Sequence, residues 1–368
     1  LSLGGTAAAE QFSFKPRGRI QIDLQQRDWR VRDEDDTDVY ARRLYLGAQG
    51  VIAGGWRYKV DLVLTPGIET VGVDDAFIEY RGDGWSLFFG EHNLTTPLEE
   101  RTSSLDVPFI ERSSAINAFG YGRRAGIGFL SGGENWSVAL AAQGGSMNAA
   151  EGEGDVDESR ALSARLTFAP ILSEAHILHV GAHVRRRYQN DADQRIRVRP
   201  QNGRDTRWID ATSVAANRIS EDDAFGAELV YARGPFSVQS EYAVLQGETP
   251  GGAERRFSAY YVDIAWSLTG ESRPYSANEG AFEAIEPRAP LGEGGFGHWA
   301  ISARYDFADL SDGPDVNRGE QSAYAMGLDW VPAEHWRFKL NYAHSDMDRS
   351  VGADDEADII SLRAQYYF

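Results

Sequence analysis

Arginine recurs at every second position in one stretch of the 368-residue chain, at Arg195, Arg197 and Arg199. If this stretch is extended, the three side chains project to one side, roughly 6–7 Å apart, as a row of positive charges. A guanidinium group stays charged at any relevant pH and binds oxyanions through a planar fork of N–H donors. The alternative is a solvated loop whose arginines pair with nearby aspartates, as most surface arginines do. The strict spacing, which stops at Pro200, favours an anion-binding row.

A second stretch, residues 93–122, follows a short strand-like run and shows no alternation of apolar and polar side chains. Irregular segments longer than about 12–15 residues are uncommon and are usually either functional or disordered. Disorder fits poorly, because the stretch contains too much apolar surface to leave in water. We therefore expect this segment to pack inside another part of the protein. Its large apolar residues are Leu94, Leu98, Leu105, Val107, Phe109 and Ile110.

Most of the remaining chain repeats one pattern, in which about 8–12 residues alternate between apolar and polar before a turn. Ile20, Ile22 and Leu24, for example, alternate with polar side chains. An even number of such runs is what a closed up-and-down membrane barrel requires. The sequence therefore predicts an all-β fold, a closed antiparallel 16-stranded transmembrane β-barrel with an inward-folded constriction loop. The sixteen runs have approximate cores at residues 14–30, 40–53, 56–65, 72–81, 85–92, 123–131, 136–144, 160–169, 177–188, 224–232, 236–246, 256–268, 298–308, 321–331, 336–344 and 358–368.

The connections between these runs alternate in length, as in outer-membrane barrels, where long loops lie outside and short turns lie in the periplasm. Connections after odd-numbered runs are long and often acidic, whereas most of those after even-numbered runs are short. We therefore expect residues 1–368 to form a single transmembrane barrel domain. Its special segments are an N-terminal extension at 1–11, the constriction loop at 93–122, an arginine-rich loop at 189–223 and a long periplasmic-side turn at 272–297.

Aromatic side chains occupy the apolar phase of many runs, where membrane barrels place them at the lipid headgroups. Trp56, Trp299 and Trp336 are examples. A soluble β-sandwich also alternates, but its strands rarely carry so many charged residues on the second face. The last run ends in Phe368, which is similar to the assembly signal of outer-membrane barrels. The pattern therefore favours a membrane barrel over a sandwich.

The composition excludes several classes of protein. No run approaches the roughly 18 apolar residues of a membrane helix. The chain has no cysteine, which excludes thiolate metal sites, disulfides and cysteine nucleophiles. Its seven histidines are scattered and no HExxH spacing occurs, so an enzyme is not expected. Because no basic and apolar leader starts at Leu1, we expect any secretory signal to have been removed or never present.

The polar phase of the runs predicts a lumen in which arginine is the main cation. Of the 37 basic residues, only Lys15, Lys59 and Lys339 are lysine. Several segments, together with the Arg42-Arg43 pair, resemble the phosphate-selective porin O and P family over nearly the whole chain. The motifs that carry this resemblance are Leu98-Glu99-Glu100-Arg101-Thr102-Ser103-Ser104, Phe109-Ile110-Glu111-Arg112-Ser113, Gly122-Arg123-Arg124-Ala125-Gly126, Arg195-Ile196-Arg197-Val198-Arg199-Pro200, Trp266-Ser267-Leu268-Thr269-Gly270-Glu271-Ser272-Arg273-Pro274-Tyr275 and Glu286-Pro287-Arg288-Ala289-Pro290.

The resemblance implies a homotrimer of anion-selective pores in the outer membrane of a Gram-negative bacterium. It implies that each pore has a constriction loop folded into its lumen. The residues that it implies for the anion pathway are Arg112 at the constriction, Arg42 and Arg43 below it, the row Arg195, Arg197 and Arg199 in the vestibule, and Arg207 as a further member. Glu100 and Arg101, next to each other in the constriction loop, complete the candidate residues of the pathway.

One residue departs from the family pattern. Where the phosphate-binding members have a lysine at the constriction, this chain has Glu100. The adjacent Arg101 would point elsewhere in an extended loop. The resemblance therefore implies a preference for anions, but it does not extend to tight selectivity for phosphate.

Other functions stay open at this point. The net charge of −19 would suit a general porin or one that passes cations or oligosaccharides, and a structural or adhesive barrel could display acidic loops. Many acids, however, fall in predicted outer loops at 33–38, 151–158 and 354–358, where we expect them to bind divalent cations and lipopolysaccharide or to be merely solvated. Because the arginines fall in the lumen, the sequence favours a water-filled diffusion channel for phosphate or another oxyanion. We expect no cofactor and no nucleic-acid partner, only small anions in transit and outer-membrane lipid.

Overall fold

The structure, a computed structural model, describes residues 12–31, 35–64, 71–147, 159–189, 194–201, 203 and 207–368. Within these residues, sixteen antiparallel strands close into one barrel, which confirms the predicted fold. Each predicted run coincides with one barrel strand. The barrel strands are β1 (Lys15–Trp29), β2 (Asp35–Ala53), β3 (Trp56–Val63), β4 (Gly72–Arg81), β5 (Trp85–His92), β6 (Arg124–Gly132), β7 (Trp136–Gln143), β8 (Arg160–Ser173), β9 (His176–Tyr188), β10 (Glu221–Arg233), β11 (Phe236–Glu248), β12 (Glu254–Ser267), β15 (His298–Leu310), β16 (Gly319–Val331), β17 (Trp336–Arg349) and β18 (Asp355–Tyr367).

Three connections contain structure that the alternation does not predict. The β5–β6 loop, residues 93–123, forms two short helices, α1 (Leu98–Arg101) and α2 (Ser114–Ala118). The β9–β10 loop contains a 3-10 turn at Ala215–Asn217. The segment between β12 and β15 forms a small hairpin from β13 (Tyr275–Ser276) and β14 (Ala281–Phe282). The predicted N-terminal extension and the acidic segment 151–158 lie outside the described residues.

The barrel closes where the first strand meets the last. β1 and β18 pair in register from Arg19 opposite Tyr367 to Trp29 opposite Ala357. At the end of this seam, the amide of Gly18 donates to the carbonyl of Phe368 at 3.0 Å, and the amide of Phe368 donates back at 3.1 Å. The terminal residue is therefore part of the hydrogen-bonded wall, so neither strand leaves an open edge.

The wall alternates between apolar outward side chains and polar inward ones. On β1, Ile22 and Leu24 are 46% and 38% exposed, whereas Gln21 and Asp23 are fully buried. Such an inverted pattern is unfavourable in water and is favourable when lipid surrounds the barrel. Among the described residues, no helix is long and apolar enough to cross a membrane.

Aromatic side chains form two outward bands on the wall. Near one end of the barrel, Trp299 of β15 stacks on Trp330 of β16, with ring centroids 5.2 Å apart. Further along, Tyr305 of β15 contacts Tyr324 of β16, with ring centroids 5.1 Å apart. Trp299 and Tyr305 are six residues apart, which is roughly 20 Å along an extended strand. Aromatic rings at this separation are typical of the two interfaces of a membrane barrel.

Candidate functional site

The β5–β6 loop lies inside the barrel because inward-facing cations of the wall donate to its backbone. Arg363 of β18 donates to the carbonyl of Ile110 at 2.9 Å, and Arg304 of β15 donates to the carbonyl of Glu111 at 3.1 Å. Lys339 of β17 donates to a third loop carbonyl. These wall cations satisfy polar groups that the irregular backbone would otherwise leave buried without partners.

Two of these wall cations, Arg363 and Arg304, are neutralised by buried carboxylates. Arg363 forms two hydrogen bonds of 2.7 Å with Asp23 of the neighbouring strand β1. Arg304 likewise binds Asp263 through two contacts of 2.7 Å, and it also contacts Glu99 of the loop. Several of the arginines that the sequence places in the lumen therefore fix the loop to the wall, and their charge is balanced where they lie.

A cavity of about 230 Å³ lies between the β5–β6 loop and β2. This volume has room for several water molecules. Its lining includes three guanidinium groups and two carboxylates, so one positive charge is in excess. The charged lining residues are Arg42, Arg43, Glu100, Glu111 and Arg112.

The two arginines of β2 differ in their surroundings. Arg42 donates from Nε and Nη2 to the two carboxylate oxygens of Glu111, at 3.0 and 3.1 Å. Arg43 donates to the side-chain carbonyl of Gln21 at 3.0 Å and, among the described residues, forms no ion pair. Arg42 is therefore held in a fork with a carboxylate, whereas the charge of Arg43 is not balanced by a direct partner.

Arg112 and Glu100 form an ion pair in the lining of the same cavity. The Nε of Arg112 lies 3.0 Å from Oε2 of Glu100, and Nη1 of Arg123 lies 3.7 Å from Oε1. Arg112 also donates to the backbone carbonyls of Glu99, Glu100 and Thr102 at 3.1, 3.3 and 2.9 Å. Arg112 therefore holds the loop together as well as lining the cavity.

Arg101 does not line this cavity. Its Nη1 donates to Oδ1 of Asn93 at 3.0 Å, and its guanidinium pairs with Glu279 of the β12–β15 segment. Arg101 and Glu100 are successive residues of helix α1, so their side chains leave the helix in different directions. Of these two candidates for the pathway, only Glu100 therefore lines the cavity, and the segment is helical where an extended loop is predicted.

The arginine row of the β9–β10 loop keeps the alternation that its spacing predicts. Ile196 and Val198 are fully buried in an apolar cluster, whereas the three arginines between and around them are half-buried. Within the row, Arg195 pairs with Asp210, and Arg197 forms no ion pair with a described residue. The apolar phase therefore fixes the segment and directs the guanidinium groups away from the apolar cluster.

Arg207 adds a further cation to this group. Its Nη1 donates to the carbonyl of Arg197 at 3.2 Å. Burial and then the nearby charges of Arg199 and Arg197 lower the pKa of Arg207 to about 9, although Asp210 acts in the opposite direction. Such a crowded set of like charges is stabilised when an anion approaches it.

The β9–β10 loop also reaches the cavity. A Cβ atom placed on Gly203 would lie 2.9 Å from Oε1 of Glu111 and 3.1 Å from Nε of Arg42. Gln201 donates to Asp306 of β15 at 2.6 Å, and the amide of Ser114 in helix α2 donates to the same carboxylate at 2.8 Å. The arginine row and the cavity are therefore joined by a few residues of one chain segment.

The segment between β12 and β15 enters the barrel from the opposite end. Its Phe282 packs with Leu98 of helix α1 in a small buried apolar cluster. Arg165 of β8 donates to the carbonyl of Gly280 at 2.6 Å, and His179 of β9 contacts the hydroxyl of Tyr275. From the sequence this segment is predicted only as a long turn, although its aromatic residues are a signal that it packs against other parts of the protein.

Arg123, for which the sequence predicts no role, lies beside the cavity. Arg123 contacts Asp75 of β4 at 2.7 Å and Asp74 at 3.3 Å, in addition to Glu100. Its position directly before a strand, within a motif of the family, was the available signal. The partners of Arg123 are distant in sequence, and no spacing rule predicts them.

One group of side chains on the outside of the barrel has the composition of a cation site. Ligand atoms of His344, Asp346 and Glu356 all lie within 4.8 Å of one another. Glu356 falls in the acidic stretch 354–358, and it also pairs with Arg30. Cation binding by the outer acidic residues therefore stays a prediction.

Comparison with known proteins identifies similar chains over almost the full length. The family model described as "Phosphate-selective porin O and P" matches residues 14–368. Porin O of Pseudomonas aeruginosa is 26% identical over 395 residues, which covers 98% of this chain and 89% of that protein. An uncharacterized protein of Caulobacter vibrioides is 32% identical over 348 residues, covering 91% of this chain and 69% of that protein.

Solved structures share the barrel at low sequence identity. An anion-selective porin from Comamonas acidovorans superimposes with a TM-score of 0.62 at 10% identity, covering 97% of this chain and 100% of that one. The trimer form of OmpT, an outer membrane protein of Vibrio cholerae, gives a TM-score of 0.60 at 12% identity and covers 98% and 100%. These two likenesses concern the fold.

Proposed function

The chain belongs to the phosphate-selective porin O and P family, and from this we propose that it forms a water-filled channel through which small anions diffuse across the outer membrane. The closed sixteen-stranded barrel, with its apolar outer face, is a transmembrane protein of the Gram-negative outer membrane. The family and the barrel indicate a channel rather than an enzyme.

One observation carries the preference for anions, namely the excess of guanidinium groups over carboxylates in the cavity lining and in the β9–β10 loop. The cavity beside β2 contains one more guanidinium than carboxylate, and Arg43 there has no carboxylate partner among the described residues. In the β9–β10 loop, Arg197 and Arg207 likewise form no ion pair with a described residue. A positive potential in a narrow, low-dielectric passage raises the local concentration of anions.

The names of similar proteins support the same proposal. Porin O belongs to the matched family, and the Comamonas acidovorans protein is described as anion-selective. The net charge of −19 would favour a cation-passing porin if the acids lined the pathway. The acids beside the cavity are instead matched by arginines, as in the pairs of Glu111 with Arg42 and of Asp75 with Arg123.

Reversal potentials in planar lipid bilayers test the proposed selectivity. In a gradient of potassium chloride, we expect the sign of the reversal potential to show chloride as the more permeant ion. The preference should weaken as salt rises, because the Debye length falls from about 8 Å at physiological ionic strength to about 3 Å at 1 M. A preference for potassium would instead favour the cation-passing porin, and no preference would favour a general porin.

We also propose that the channel is a homotrimer, because the trimer form of OmpT shares the barrel fold. The outward side chains of the barrel strands give each protomer an apolar surface that lipid or a neighbouring protomer can cover. Lipopolysaccharide would surround the outer rim, where the acidic residues bind divalent cations.

A further inference from the structure

The carboxylate of Glu100 occupies a place between two guanidinium groups. Its Oε2 lies 3.0 Å from Arg112 and its Oε1 lies 3.7 Å from Arg123. The side chain is 9% exposed and lines the cavity of about 230 Å³. A bound oxyanion would make the same two contacts, one oxygen with each guanidinium.

The two arginines do not depend on Glu100 for their positions. Arg112 donates to three backbone carbonyls of its own loop, and Arg123 is held by Asp74 and Asp75. The carboxylate therefore contributes charge to the site without being needed to build it. Without this carboxylate, Arg112 would line the cavity with no carboxylate partner among the described residues, whereas Arg123 would stay paired with Asp74 and Asp75.

We propose that Glu100 acts as a tethered anion that occupies the oxyanion position of the constriction. Since Glu111 also engages Arg42, the cavity retains one excess positive charge, which we assign to Arg43. One excess charge attracts singly charged anions, whereas a doubly charged oxyanion meets two carboxylates and no free pair of guanidinium groups. This inference rests on the proposed anion channel, and it names small monoanions as the ions that pass and doubly charged oxyanions as those that the pore does not retain.

The experiment measures block of chloride current by inorganic phosphate in planar bilayers. At slightly alkaline pH, where phosphate is mainly doubly charged, millimolar phosphate should leave the native current nearly unchanged. In Glu100→Gln, Arg112 would join Arg43 as a second unbalanced cation of the cavity lining, and the two should bind phosphate together. The concentration for half-block should fall by about tenfold or more because one like charge is removed at close range. Glu100→Ala should give the same change and serves as the second variant if Glu100→Gln does not fold.

Asp106→Asn is the matched control. Asp106 belongs to the same loop and pairs with an arginine, Arg337, at 3.4 Å, but it does not line the cavity. The substitution removes the same charge and should leave phosphate block at the native level. Equal block in Asp106→Asn and Glu100→Gln would overturn the proposal, because net charge would then explain the effect.

Two other outcomes separate this inference from the proposed function. If the native pore prefers chloride but is already blocked by millimolar phosphate, Glu100 does not act as a tethered anion, although the protein is still an anion channel. The same conclusion follows if phosphate blocks neither Glu100 variant more strongly than it blocks the native pore. If the native pore prefers potassium, the anion channel itself is wrong. If the native pore prefers chloride and phosphate blocks the current only in the Glu100 variants, the result supports both the anion channel and the role of Glu100 as a tethered anion.

Discussion

At the scale of single residues, the structure divides the arginines into those that are neutralised and those that are not. Arg304 and Arg363 are fully buried and are paired with carboxylates of adjacent strands. Arg43 and Arg197 form no ion pair with a described residue. Since only an unbalanced charge attracts anions strongly, the position of an arginine in the lumen does not by itself predict its role.

This division gives a prediction for the arginine row. Arg197→Ala should lower the permeability of chloride relative to potassium more than Arg195→Ala does, because Asp210 already balances Arg195. Reversal potentials at low salt measure the difference, which should shrink at molar salt as screening increases. Equal effects of the two substitutions would mean that the pair with Asp210 does not reduce the field of Arg195. The triple variant with Ala at 195, 197 and 199 should show the largest loss of chloride preference.

The sequence does not show which carboxylates pair with these arginines. The alternation of Arg195, Arg197 and Arg199 with Ile196 and Val198 is local, and the structure retains it. The partner of Arg363, in contrast, lies 340 positions away in the chain. Only closure of the barrel brings the two strands together, so no spacing could show that Arg363 is neutralised.

At the scale of elements, the wall and the inner loops differ in how far sequence determines them. Each strand has a period of two residues that can be recognised within about ten positions, and all sixteen strands were predicted. The helices α1 and α2 and the hairpin of β13 and β14 have no such period. Their conformations depend on contacts with the wall, such as the hydrogen bond from the amide of Ser114 in α2 to Asp306 of β15 at 2.8 Å.

Removing one wall anchor should release the β5–β6 loop. Arg304→Met leaves Asp263 and Glu99 buried without their shared partner, and breaking a buried ion pair in this way costs about 3–5 kcal/mol. We expect a lower temperature of barrel unfolding and a larger, noisier single-channel conductance, because the loop would no longer be fixed across the lumen.

The control for this anchor is Arg30→Met, just after β1. Arg30 pairs with Glu356, and both side chains are exposed. Exposed pairs contribute about 0–1 kcal/mol, so both the unfolding temperature and the conductance should stay near the native values. An unchanged conductance in Arg304→Met would show that the other anchors hold the loop without Arg304.

At the scale of the whole molecule, the barrel strands differ in length from one side of the wall to the other. The five strands from β3 to β7 contain 8, 10, 8, 9 and 8 residues, whereas the barrel strands from β8 onward contain 13 or 14. A tilted strand needs about 9–11 residues to cross the hydrocarbon core of a bilayer. The side formed by β3 to β7 is therefore barely long enough to face lipid alone, and we expect neighbouring protomers to cover it.

Two matched substitutions test where the protomers meet. Ile78 of β4 and Leu362 of β18 both point outward and are 45% and 46% exposed, but only Ile78 lies on the side of the wall formed by the short strands β3 to β7. An arginine on the outer face of a barrel costs about 2–4 kcal/mol at the bilayer midplane, so both variants should be less stable. Ile78→Arg should in addition place three charges in the interface and convert the trimer to single barrels in mild detergent. Leu362→Arg should remain a trimer.

Mass measurement in mild detergent distinguishes trimers from single barrels. If Ile78→Arg stays trimeric and Leu362→Arg dissociates, the interface lies on the side of the wall formed by the longer strands.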